Sequence, residues 1–195
     1  NDTIFNGNNI NSSFGYMTLI GTENVTINDN NYNVTSSSVA ALLLDNTNNI
    51  NVTHNSFLSN FAAFVGIKTQ DSRNINIFNN VINSFSGTLN QPEMYILRTN
   101  NSNVSYNRLL GASTNLLIWD SYNNLIEYTN STSTSANSLV LINSSLNNIN
   151  EMLINTSTSG GGINLVQSHN NSIKNVNIEH KSNGIIFDLS SDNKL

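Results

Sequence analysis

Asn48-Asn49-Ile50-Asn51-Val52 and Arg73-Asn74-Ile75-Asn76-Ile77 decide the fold. In each, two β-branched residues alternate with an asparagine, the period of two that marks a strand with one buried face. The phrase returns as Ser102-Asn103-Val104-Ser105-Tyr106, Asn123-Asn124-Leu125-Ile126, Asn147-Asn148-Ile149-Asn150 and Asn170-Asn171-Ser172-Ile173. Its last asparagine marks Asn24, Asn49, Asn74, Asn103, Asn124, Asn148, Asn171 and Asn193, at intervals of 25, 25, 29, 21, 24, 23 and 22 residues. Such a period is one unit of a stacked repeat architecture.

A second apolar run follows each phrase, as in Phe57-Leu58 and Val81-Ile82. A third precedes the next phrase: Leu42 to Leu44, Ile96-Leu97, Leu116 to Trp119, Leu139 to Ile142, Ile163 to Val166 and Ile185 to Phe187. Turn residues separate the runs, clearest at Ser131-Thr132-Ser133-Thr134-Ser135, at Ser157-Thr158-Ser159-Gly160-Gly161-Gly162 and in the Asn-Gly pairs at Asn6 and Asn183. No segment has helical periodicity, and helix formers are scarce. Two or three strands per repeat without a helix predict an all-β parallel β-helix, a solenoid of seven or eight coils stacked at about 4.8 Å. A leucine-rich repeat has a similar period, but its leucine framework and helical return are missing. The anchors Asn24, Asn49, Asn74, Asn103, Asn124, Asn148 and Asn171 are expected to form a structural ladder at one corner, where asparagine tolerates left-handed backbone. The long interval from Asn74 to Asn103 holds an insertion, Gly87 to Met94, with the one proline.

Composition excludes several functions. The chain has 195 residues, a net charge of -5 and only 7 Lys plus Arg, so it has no basic stripe for nucleic acid. Its 43 Asn sit beside a hydrophobic fraction of 37%, enough to build a core. Without cysteine it has no disulfide, thiol chemistry or thiolate-bound metal. No apolar stretch spans a bilayer. Eleven Asn-x-Ser/Thr sequons are about what this composition gives by chance. The chain reads as one β-helix domain over residues 1–195. Both ends look like mid-coil cuts, which suggests a segment of a longer rod flanked by further coils or caps.

Neither a metal site nor a cofactor site is legible. His54, His169 and His180 lie in different repeats and match no metal spacing. Sugar hydrolysis needs two carboxyls about 5 to 9 Å apart. Asp45 and Asp120 share a register three coils apart, about 14 Å by strand spacing. Asp45 and Asp71 lie nearer and form the best acid pair. Glu127, Glu151 and Lys174 occupy equal offsets in successive coils and read as a solvated charge ladder. Alternation through the third run sends Leu43, Leu97, Ile118, Ile142, Leu165 and Phe187 inward. It leaves Leu42, Leu44, Ile96, Leu117, Trp119, Leu141 and Ile186 outside, and a slip of one residue reverses this. With Trp119, Tyr95 and Tyr122 as aromatic platforms, such a face would bind a glycan or a protein.

These phrases resemble the right-handed parallel β-helix repeats of the pectate-lyase-like superfamily and, in their Asn/Ser/Thr richness, the adhesin-like surface proteins of methanogenic archaea. The resemblance implies a secreted or cell-surface rod without catalytic activity, which spaces domains or binds a glycan or partner cell. The first alternative is a polysaccharide lyase or glycoside hydrolase using Asp45 and Asp71. The second is a filament subunit that self-associates end to end.

Overall fold

A computed structural model describes residues 2–12, 17–35, 40–60, 64–84, 91–111, 113–156, 161–179 and 182–195. The Gly87 to Asn90 part of the insertion, the 157–160 turn and His180 lie outside them. Among these residues 24 strands form three eight-stranded parallel sheets. Successive strands fall in sheets A, B and C in turn, and each pairs with the strand one coil away. This is a right-handed parallel β-helix, as the sequence predicts. The first coil is Thr3–Asn6, Asn9–Ser12 and Met17–Ile20.

Alternation fills the interior with stacked columns. Ile27, Val52, Ile77, Val104, Ile126, Ile149 and Ile173 form one on sheet A, all buried. On sheet B, Tyr32 and Phe57 stack at 4.6 Å, and burial pushes the Tyr32 phenol up to about 12. On sheet C, Leu42, Ile67, Met94, Leu116, Leu139 and Ile163 run beside Leu44, Thr69, Ile96, Ile118, Leu141 and Leu165. The sequence-based phase of sheet C is therefore corrected. Leu42 and Leu44 are fully enclosed, Ile96 is 1% exposed and Leu141 is enclosed, so none of them lines a binding face. Leu43, Leu97 and Ile142 point outward instead. Leu117, Trp119 and Ile186 do face out, and Ile118, Leu165 and Phe187 hold inward positions.

Residues 131–133, expected as part of a turn, lie in strand Asn130–Ser133. Three rows of residues with positive φ turn the chain at two corners, A–B and C–A. One row ends sheet A: Gly7, Asp29, His54, Asn79, Tyr106, Tyr128, Glu151 and Asn175. A second ends sheet C: Gly21, Asn46, Asp71, Arg98, Asp120, Asn143, Gln167 and Leu189. A third opens sheet A: Asn24, Asn49, Asn74, Asn101, Asn123, Leu146, Asn170 and Asp192. Asparagine and aspartate dominate because their short polar side chains tolerate this region. Tyr106 and Leu146 are held in it by backbone bonds to the next coil, N to Glu127 O at 3.1 Å and N to His169 O at 3.3 Å.

The buried asparagine ladder differs from the predicted one. Asn30, Asn55, Asn80 and Asn107 line the A–B corner, each amide linked to the next at 3.0 to 3.1 Å. Thr129 and Met152 continue the column without an amide. A second ladder, Asn124, Asn147, Asn171 and Asn193, starts at the C–A corner beyond Ser102. Of the anchors, Asn124, Asn171 and Asn193 belong to the second ladder. Asn24, Asn49 and Asn74 are exposed corner residues, while Asn103 and Asn148 are outward-facing strand residues. Choosing the last asparagine of each phrase mixes three structural roles.

Candidate functional site

The C–A corner carries an open polar groove. At each coil the positive-φ residue that ends sheet C projects outward. The next residue turns inward, and its hydroxyl takes the backbone N–H of the coil before: Thr47 N to Ser72 Oγ at 3.0 Å, Thr99 N to Ser121 Oγ at 3.0 Å and Ser121 N to Ser144 Oγ at 3.2 Å. The third residue projects outward again. Two outward rows therefore flank an inward one and leave a trough. A cavity of about 670 Å³ is lined by Glu23, Asn48, Asp71, Arg73, Arg98, Asn100 and Tyr122. Arg98 and Tyr122 also line a second cavity of about 670 Å³, which runs on past Asp120 to Asn143 and Leu146.

The charges of one wall lie in register. Arg98 pairs with Asp71 through Nε to Oδ1 at 2.6 Å and a second guanidinium nitrogen to Oδ2 at 2.8 Å. The hydrogen bond from Arg98 holds the Asp71 carboxyl below its usual range and raises the guanidinium in turn. Asp120, one coil beyond Arg98, accepts from Asn143 Nδ2 at 2.7 Å. On the opposite wall Arg73 makes no ion pair among the described residues. Tyr122 is 53% exposed, with its N–H on Asn100 Oδ1 at 2.8 Å. Beside the groove on sheet C, Tyr95 and Trp119 lie 6.5 Å apart, with the Lys68 ammonium 5.5 Å from the Tyr95 ring. Burial raises the Tyr95 phenol, while the charge of Arg98 works against it.

The structure thus places Tyr122 and Asp71 in the C–A groove and Tyr95 and Trp119 on the adjoining sheet C, and excludes Leu42, Leu44 and Ile96. Leu117 lies outward beside Tyr95. Asp45 and Asp71 do not form a pair. Asp45 stands in the Gln70 column and receives Gln70 Nε2 at 3.5 Å, whereas Asp71 belongs to the corner row and to Arg98. The charge ladder also dissolves: Glu127 and Lys174 share an outward column with Asn150, but Glu151 is a corner residue. Sequence reasoning missed Arg73 and the Asp71–Arg98 pair, whose signal is a single step of 27 residues that counts as one coil. Among the described residues no helix is long and apolar enough to cross a membrane.

No family model and no curated protein sequence matches the chain. The chain superposes on a mutant of the periplasmic alginate epimerase AlgG with a TM-score of 0.57 and 13% identity, over 98% of this chain and 49% of that one. A Yersinia enterocolitica family 28 exopolygalacturonase matches with a TM-score of 0.41 and 14% identity, over 92% of this chain and 47% of that one. The chain spans about half the length of these structures. The first likeness shows a shared fold. The expectation of a non-enzymatic rod is corrected by it: the superposed fold is that of a polysaccharide-processing enzyme.

Proposed function

We propose that the chain acts on a polysaccharide outside the cytoplasm, with the glycan lying along the C–A groove. The observation that carries this reading is the row Asp71, Arg98, Asp120 inside an open trough that crosses several coils. An elongated trough suits a polymer better than a small molecule. Trp119 and Tyr95 offer apolar ring surface beside it, and Arg73 offers an uncommitted cation for a hydroxyl or carboxylate. Asp71 and Asp120 stand two coils apart, about 9.6 Å by strand spacing, just beyond the upper limit of about 9.5 Å for water-mediated glycoside hydrolysis, which flexing of the exposed side chains can close. In this reading Asp71, kept ionised by Arg98, activates the water and Asp120 faces the leaving oxygen. The periplasmic setting of the epimerase supports an extracytoplasmic site of action.

The test is a panel of neutral and uronate polysaccharides, read for new reducing ends and for the absorbance of unsaturated products. Hydrolysis gives the first signal alone. Asp120→Asn is expected to cut product release at least a hundredfold, and Arg73→Ala to weaken binding about tenfold. A wild-type chain that neither binds nor cleaves any member of the panel refutes the reading.

A further inference from the structure

Among the described residues the core encloses one carboxyl, Glu93, which is 0% exposed. It directly precedes strand Met94–Leu97 and lies inside the B–C corner. In register, Gly66, Glu93, Asn115 and Ser138 form one column, joined by Gly66 N to Glu93 O at 2.8 Å, Met94 N to Asn115 O at 2.9 Å and Leu116 N to Ser138 O at 3.0 Å. Across the corner, Ser84 Oγ donates to Glu93 Oε1 at 2.7 Å. Next to Ser84 stands Gly111, and a Cβ there would overlap the Glu93 carboxyl. The sequence thus clears a space for this side chain.

The Ser138 hydroxyl of this column lacks a partner, and on the two coils before it so do two further buried oxygens, Asn115 Oδ1 and Glu93 Oε2. Both are acceptors when Glu93 is ionised. The orientation of the Asn115 amide is fixed by its Nδ2, which donates to Ser131 Oγ at 2.8 Å and Leu109 O at 3.3 Å. One proton on Glu93 would satisfy both oxygens at once. No compensating charge is at hand. The side chains facing Glu93 from the packed strands belong to Ser84 and Asn115, beside Gly66 and Gly111, and Phe85 to Pro92 contains no ionisable residue. Burial pushes the Glu93 carboxyl up to about 7, against the pull of the Ser84 hydrogen bond.

We propose that Glu93 is a proton-operated latch on the B–C corner: as the neutral acid it donates Oε2–H to Asn115 Oδ1, and on losing that proton to solvent it turns the Asn115 amide round. After the turn Nδ2 donates to the Glu93 carboxylate, and Ser131 Oγ–H donates to Oδ1. The carbonyl of Leu109 loses its donor and faces an oxygen, so the ionised corner is the looser of the two states. The latch is independent of the groove chemistry.

The test is nuclear magnetic resonance of the full chain across pH 4 to 9, following the Glu93 carboxyl carbon and the Asn115 side-chain NH2. The Glu93 signal is expected to titrate roughly two pH units above an ordinary glutamate, and the Asn115 signals to move with the same midpoint. Glu93→Gln, whose amide donates permanently to Asn115 Oδ1, should hold the Asn115 signals at their acid positions throughout. A Glu93 midpoint near that of a free glutamate overturns the proposal. So do Asn115 signals that ignore the Glu93 titration, or that still move in E93Q. The wild-type titration decides the first two outcomes without any variant.

Discussion

Replacing Asn80 by alanine is the sharpest trial of the corner ladder. Its Oδ1 accepts the backbone N–H of Asn55 at 2.9 Å and Asn55 Nδ2 at 3.0 Å. Its Nδ2 donates to Val52 O at 2.8 Å, Phe78 O at 3.1 Å and Asn107 Oδ1 at 3.1 Å. Truncation removes all of these at once. Asn55 Nδ2 keeps Ile27 O and Thr53 O, both at 2.9 Å, and Asn107 Oδ1 keeps the Asn80 N–H at 3.0 Å. The unrelieved losses are the enclosed Asn55 N–H and the donor to Val52 O. An orphaned buried group costs about 1–3 kcal/mol and a lost bond about 1 kcal/mol, so the variant should be destabilised by roughly 2–4 kcal/mol. For a domain of this size that lowers Tm by about 10 °C. Urea unfolding followed by far-ultraviolet circular dichroism gives the energy, and amide exchange at Asn55 gives the location. A loss below about 1 kcal/mol with Asn55 still protected would show that the ladder decorates the corner without holding it.

Three further outcomes follow from the same geometry. Gly111→Ala should destabilise the chain by about 1–3 kcal/mol through overlap with the Glu93 carboxyl, and G111A with E93A should recover most of that in thermal melts. Stability should fall as pH rises from about 4.5 to about 7 and then level off, because the raised Glu93 carboxyl makes the native state bind more protons than the unfolded chain in that window. The total is about 3 kcal/mol, and denaturant titrations of Glu93→Gln should lack the slope. Asp71 has the opposite sign: its lowered carboxyl lends stability above its ordinary range that is lost as pH falls through the folded value. Exposure keeps that term small, and melts of Arg98→Ala should sit close to wild type, with the difference erased by high salt.

The coil period and the strands of sheet A were legible because Ile50-Asn51-Val52 and Ile75-Asn76-Ile77 alternate cleanly. Sheet C was not, for a physical reason. Ala40 to Leu44 and Leu116 to Trp119 are apolar on both faces, so the pattern carries no phase, and a one-residue slip exchanged Leu43 for Leu42 and Leu44. Asparagine misled because one side chain suits two tasks, an exposed left-handed turn at Asn49 and a buried amide stack at Asn55. The groove's aromatics were found by type, but Asp71 and Arg98 are separated by the insertion, which breaks the count between coils. Glu93 left no pattern at all, since its meaning depends on the space above Gly111, on a different strand.

The amide stack changes corners partway along the rod: the A–B stack ends at Asn107, and in the same coil the Ser102 N–H meets the first amide of the C–A stack, Asn124. This makes that coil a splice junction. Duplicating residues 49–73 would join like to like, and so would duplicating residues 124–146. Fusing the first kind straight to the second would leave both stacks open at the seam. Chimeras of altered length should therefore keep this coil, and shuffled ones that omit it should come apart there first.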